Sequence, residues 1–253
     1  MTLPLAIVIG MGPGLGQALV RKFASNSFAV AFVGRRPAAI AAHQQSLRAE
    51  GMDVTGFVGD AGDTSQMDDV HARIRQRYGD AAALIYNAAI IEPARFVTPS
   101  GIKEAKYGTA NGWSARGEPS SSDYLLDTFR TNVAGAHHAV QSVAQAMIAR
   151  KSGSIFLTGG ILAFGPWIEW GVTSMGKAAL RSMGHSLAKE LFPLGIHVST
   201  VAIHGTIQAG TPYDPDLIAQ TYLDLHKQPR EVWSADHHFK VDEQGETDPD
   251  ARH

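Results

Sequence analysis

Gly10, Gly12, Gly14 and Gly16 fall within GMGPGLG, and this is the stretch of the chain best suited to chemistry. Glycines at that density permit a tight turn and let the backbone approach a ligand closely. An apolar run, Leu5 to Ile9, leads into them, and a helical pattern starts at Leu15. A strand closed by glycine that opens directly into a helix can cradle a pyrophosphate, because the free N–H groups and positive dipole end of the helix point at the turn. About twenty residues further on lies the position that selects the nucleotide in a fold of this kind. There the chain offers Gly34, Arg35 and Arg36, with no carboxylate before Glu50. An arginine fork suits a 2′-phosphate and stacks on adenine, which favours NADP(H) over NAD(H). Asp60, followed by Ala61, either hydrogen-bonds the adenine amino group or caps a turn.

The elements that must position these residues alternate. Apolar strand patterns at Leu5 to Ile9, Phe28 to Arg36, Val54 to Asp63 and Ala81 to Ala89 are separated by helical patterns. Pro37 starts the second helix, which runs to about Glu50, and Thr64 or Ser65 caps the third. Strand and helix alternate three times, which predicts a Rossmann-type, doubly wound parallel sheet in a three-layer αβα single domain. Residues 91–122 break the rhythm with Gly, Pro, Ser and Thr around Phe96, Tyr107 and Trp113, and read as an inserted loop. One long helix capped by Asp123 is expected to reach Arg150. A fifth strand follows from Gly153, a helix from Ser174 to Phe192, a sixth strand from Ile196, and a helix from Pro215 to Lys227. The domain is expected to span 1–240, with 241–253 an acidic, aromatic-free disordered tail.

Composition removes several classes. A net charge of −2 gives no global field for nucleic acid or an anionic membrane. The absence of cysteine excludes disulfides, zinc–thiolate sites and thiol catalysis. The eleven histidines include two tandem pairs but no metal-ligand spacing, so no metal is expected. The first apolar run is too short to cross a bilayer, and a cytoplasmic location is the expectation.

Taken together, GMGPGLG, the NAA of Asn87 to Ala89, Asn132 in FRTNVAG, TSMGKAAL at Thr173 to Leu180 and HGTI at His204 to Ile207 resemble the short-chain dehydrogenase/reductase family over about residues 3–240. Ile9 stands where the family's TGxxxGxG loop usually has threonine, and Pro13 and Leu15 fill variable positions of that loop. The ending, Leu217 to Phe239, is similar to that of one group of family relatives. The resemblance implies that Gly10 to Gly16, Asn87, Ala88, Lys177, Gly205 and Ile207 hold the dinucleotide and that Asn132 helps hold a catalytic water. It also implies a small-molecule substrate and a homodimer or homotetramer built through the two long helices.

In the family a tyrosine four residues before the lysine is the acid/base, and the lysine lowers its pKa from ~10. Thr173 occupies that position, and Gly160 stands thirteen residues earlier where a serine polarises the substrate carbonyl. The chain thus reads as a divergent member without the catalytic tyrosine and serine. Thr158 and Ser174 are nearby hydroxyls, and His204, whose side chain titrates in a useful range, is either a hydrogen-bonded loop histidine or a proton donor acting directly or through water. Glu169, between Trp167 and Trp170, is either a solvated loop carboxylate or, if an apolar wall raises its pKa, an acid. Phe164, Trp167 and Trp170 point to a greasy substrate or interface. The expected function is NADP(H)-dependent hydride transfer to or from a small or medium, partly apolar organic substrate. The alternatives are a non-catalytic NADP-binding sensor or partner, and a non-redox enzyme that reuses the pocket.

Overall fold

A computed structural model describes residues 3–102 and 117–241. Its centre is one seven-stranded parallel sheet, and the strands lie in the order β3-β2-β1-β4-β5-β6-β7. The strands are β1 Leu5–Ile9, β2 Ala29–Gly34, β3 Val54–Val58, β4 Ala81–Tyr86, β5 Gly153–Thr158, β6 Ile196–Ile203 and β7 Asp236–Phe239. Among the described residues seven α-helices flank the sheet: α1 Leu15–Ala24, α2 Pro37–Ala49, α3 Thr64–Tyr78, α4 Ser122–Phe129, α5 Gly135–Arg150, α6 Gly171–Leu191 and α7 Pro215–Lys227. The sheet is buried on both faces, so β1 and β2 read as unbroken apolar runs with no alternation. Successive side chains still part to opposite faces. Leu5, Ile7 and Ile9 join one core with Met67, Val140 and Leu180 of α3, α5 and α6. Ala6 and Val8 join the other with Phe23, Leu47 and Tyr222 of α1, α2 and α7. The result is the expected three-layer arrangement. Strand order reverses between β1 and β4, where a crevice opens at the carboxyl ends of the strands.

Several local expectations are corrected. The sheet has a seventh strand, Asp236–Phe239, pairing parallel with β6. Val54–Val58 is shorter than the stretch to Asp63, because Asp60 accepts from Gly62 N and turns the chain away. Asp63, not Thr64 or Ser65, caps α3 by accepting from Gln66 N at 3.1 Å. Ser121, not Asp123, caps α4. The single long helix is interrupted by a π-helical turn at Arg130–Ala134. Gly135 explains the break: a Cβ there would lie 2.0 Å from Ala61 O and 2.5 Å from the Tyr86 hydroxyl, so the helix shifts register as it presses on the sheet. Tyr107, Trp113 and most of the 241–253 segment lie outside the described residues.

Candidate functional site: a dinucleotide cleft beside a buried lysine

The glycine loop divides its labour. Gly10 has φ +104°, and a Cβ on it would sit 2.3 Å from Ala88 N. A Cβ on Gly16 would sit 2.5 Å from Gly10 O, so Gly16 permits the close seating of α1 against the loop. Gly12 and Gly14 have nothing within 4 Å of their Cβ positions. They face open space, and no side chain caps the α1 N-terminus beside them. A bare backbone rim at an uncapped helix start fits a pyrophosphate. Asn87 bolts this rim to β4, donating from Nδ2 to Gly10 O at 2.9 Å, while its backbone N donates to Ile9 O at 2.7 Å.

Beyond the rim lies a cleft of about 280 Å³. Gly10, Gly12, Arg35, Asp60, Ala61, Asn87 and Ala88 all line it, so the structure brings these residues together at the β1/β4 crevice. Arg35 and Arg36 are exposed and, among the described residues, make no ion pair. Asp60 caps the turn, accepting from Gly62 N at 2.8 Å, and it also lines the cleft. Ala89 of the NAA motif also lines it, as do Met11 and Thr131, which were not singled out from the sequence. Thr131 lies in the π-helical turn, with its hydroxyl against Gly62.

α6 carries Thr173 and Lys177, both buried, and neither lines the cleft. Lys177 Nζ donates to Thr158 O at 2.7 Å, and burial pushes its pKa down to about 8. Asn132 is spent on the backbone, accepting from Ile90 N at 2.7 Å and donating to Ile90 O at 3.1 Å. The hydroxyls of Thr173 and Ser174 are buried with no hydrogen-bond partner among the described residues, and Thr158 pairs with the Tyr222 hydroxyl at 2.8 Å. Gly160 has only Ile203 O near its Cβ position, at 3.7 Å. Gly205 is required by packing, since a Cβ there would meet the Tyr213 ring at 2.3 Å.

Comparison with known proteins decides the family. The short chain dehydrogenase family model matches residues 4–212. The chain belongs to the short-chain dehydrogenase family. A 2,3-dihydro-2,3-dihydroxybenzoate dehydrogenase from Bacillus subtilis is 27% identical over 198 residues, covering 78% of this chain and 68% of that protein. Among solved structures, a metagenomic short-chain oxidoreductase in complex with NADP superposes with a TM-score of 0.77 at 19% identity, covering 95% of this chain and 99% of that one. An actinorhodin polyketide ketoreductase with NADPH gives 0.78 at 17% identity, covering 94% and 97%.

Within this short-chain dehydrogenase the loop before α6 departs from its expected role. Glu169 is buried, and Arg95 holds its carboxyl below the usual range instead of an apolar wall raising it. Arg95 donates to Glu169 from Nε at 2.7 Å and also from Nη2, Ser100 Oγ donates at 2.7 Å and Gly101 N at 3.1 Å. Glu169 is therefore neither a solvated carboxylate nor an acid raised by an apolar wall, but a latch that fastens residues 94–101 to the start of α6. Ala94 forms a bridge with Trp170, and Ala94 N donates to Glu169 O. Trp170 is buried in this joint, whereas Trp167 remains exposed. His204 lies just beyond β6, and its Nε2 is 2.8 Å from Nδ1 of His238. Neither the latch nor the histidine pair was legible, because their partners lie far apart in sequence.

Proposed function

We propose that the chain is an NADP(H)-dependent oxidoreductase acting on a small or medium, partly apolar organic substrate. When bound, the dinucleotide would supply or accept the hydride. The backbone rim of Gly10 to Gly16 and the start of α1 would hold the pyrophosphate, and Arg35 and Arg36 the 2′-phosphate. Asp60 and Ala61 would flank the adenine, and Asn87, Ala88, Gly205 and Ile207 would line the way to the nicotinamide end. Lys177 would hold the second ribose after leaving the Thr158 carbonyl. The observation that carries this reading is the cleft itself, where the open Gly12 position, Arg35 with no ion pair among the described residues, and Asp60 meet at the β1/β4 crevice.

The proton is the distinctive part. Thr173 and Gly160 supply no phenol and no serine, so the proton would come from water or from His204. Trp167 and Phe164 would present apolar surface to the substrate. As implied by the family, the working unit is one domain over 1–240 with 91–122 inserted, assembled as a cytoplasmic homodimer or homotetramer. No helix among the described residues is long and apolar enough to cross a membrane.

A second reading, a non-catalytic NADP(H)-binding sensor, is favoured by the buried and unpartnered Thr173 hydroxyl. A panel of ketones, aldehydes and imines, followed through the loss of NADPH absorbance, separates the two. Consumption of NADPH with any of them supports the oxidoreductase, and tight NADPH binding with no consumption supports the sensor.

A further inference from the structure

The strand that the sequence did not reveal brings a second histidine to the edge of the site. His204 N donates to Phe239 O at 3.1 Å, and Ala202 and Ile203 pair with His238 and Phe239, so His204 and His238 meet where β6 and β7 end. Their rings are 5.0 Å apart between centroids, with Nε2 of His204 2.8 Å from Nδ1 of His238. Two nitrogens at that separation share one hydrogen. The outer nitrogens, Nδ1 of His204 and Nε2 of His238, have no other hydrogen bond among the described residues.

The pair is held from two sides. Phe164 packs on both rings, at 4.9 Å from His238 and 6.4 Å from His204, and the Arg181 guanidinium lies 4.4 Å over the Phe164 ring. Arg181 is itself fixed by Asp236, from Nε at 2.8 Å and Nη2 at 2.5 Å, and His185 Nε2 approaches the same carboxylate oxygen at 2.7 Å. Asp236 and His238 are two residues apart on β7 and share a face. The ion pair therefore fixes the strand that carries the histidine.

The location matters as much as the bond. Gly160, where the family has its serine, lies against the carbonyl of Ile203, immediately before His204. Phe164 belongs to the same connection between β5 and α6. The charged and titratable groups around the pair are Arg181 and His185 of α6, Asp236 and His237 of β7, and Lys240 beyond it. Burial, His238 and Lys240 all hold His204 toward its neutral form. Like-charge repulsion at this separation prevents both rings from being protonated at once.

We propose that His204 and His238 form a proton relay, one end serving the substrate and the other the solvent. This rests on the oxidoreductase reading above. In one tautomer His204 carries its proton on Nδ1 and accepts at Nε2 from His238 Nδ1–H. When Nδ1–H of His204 passes its proton to a substrate oxygen, the His238 Nδ1 proton moves to His204 Nε2. His238 Nε2 then takes a proton from water. The net change is one proton from water to substrate, and exchange with water at the two outer nitrogens restores the first tautomer. In the opposite direction each proton moves back. His204 is the catalytic residue of the pair and His238 the positioning residue that refills it.

Long-range 1H–15N correlation of the imidazoles in the unliganded protein, across about pH 5–9, tests the pair directly. One coupled titration is expected, and His238→Gln should change the tautomer and midpoint of His204 while leaving the rest of the spectrum in place. With a substrate found in the NADPH panel, His204→Gln should lower turnover by about tenfold or more. His238→Gln should shift the pH profile, both single variants should keep wild-type NADPH affinity, and the double variant should be no worse than His204→Gln. Two rings that titrate independently, or a pH profile unmoved by either change, overturn the relay alone. NADPH binding without oxidation by any substrate overturns the oxidoreductase reading, and the substrate end of the relay with it.

Discussion

Gly10 and Gly12 lie two residues apart and answer to different constraints. Gly10 needs its left-handed φ and has Ala88 backbone where a side chain would go, so Gly10→Ala should cost about 2–4 kcal/mol of stability. Gly12 has neither problem. Gly12→Ala should leave the thermal midpoint unchanged and still weaken NADPH binding by about tenfold or more, because its methyl group enters the space left for the pyrophosphate. Thermal melts and NADPH titration of the two variants check both halves, and equal affinity for Gly12→Ala and wild type would remove the loop from the binding site. Lys177 shows the limit of residue identity. Its spacing from Thr173 was plain, but its hold on the Thr158 carbonyl depends on the fold.

Among elements, the latch between residues 94–101 and the start of α6 depends on one carboxylate. Glu169→Gln keeps the shape and removes the charge that Arg95, Ser100 and Gly101 share, and should destabilise by about 2 kcal/mol in urea denaturation. Because Arg95 holds the Glu169 carboxyl below its ordinary 4.5, that contribution is complete above this pH and is lost as pH falls through the lowered value. The helix–sheet packing carries a sensitivity of the same sign that begins at higher pH. His71 of α3 and His197 of β6 are buried, each with Nε2 unpartnered among the described residues, and burial pushes both down to about 4 from 6.5. The unfolded chain protonates them near 6.5 and the folded chain does not. Stability should therefore fall as pH drops from about 6.5 toward 4, by roughly 2–3 kcal/mol per histidine. Urea midpoints that stay flat over that interval would contradict the burial argument.

Across the whole molecule, the sheet and its crevice were legible because they rest on local signals. The bounds of Leu5–Ile9 and Pro215–Lys227 follow from apolar runs, a closing glycine and a proline at the helix start. β7 was hidden because Asp-His-His-Phe has neither the apolar run nor the β-branched residues of a buried strand; it forms at the sheet edge, where one neighbour and the Arg181–Asp236 pair suffice. The π-helical turn was hidden because Gly135 reveals its constraint only once Ala61 and Tyr86 stand opposite it. The lining of the cleft by Gly10, Gly12 and Arg35 was legible for the same local reason as β1, and the contacts of Glu169 and His204 were not, since they meet partners 74 and 34 residues away. The central claim is that this crevice takes a dinucleotide carrying a 2′-phosphate. Parallel calorimetric titrations of one preparation with NADPH and NADH test it most directly. NADPH should bind at least about tenfold more tightly, with the margin lost in Arg35→Ala as NADH affinity stays the same. Equal affinities, a preference for NADH, or no binding of either would contradict the account.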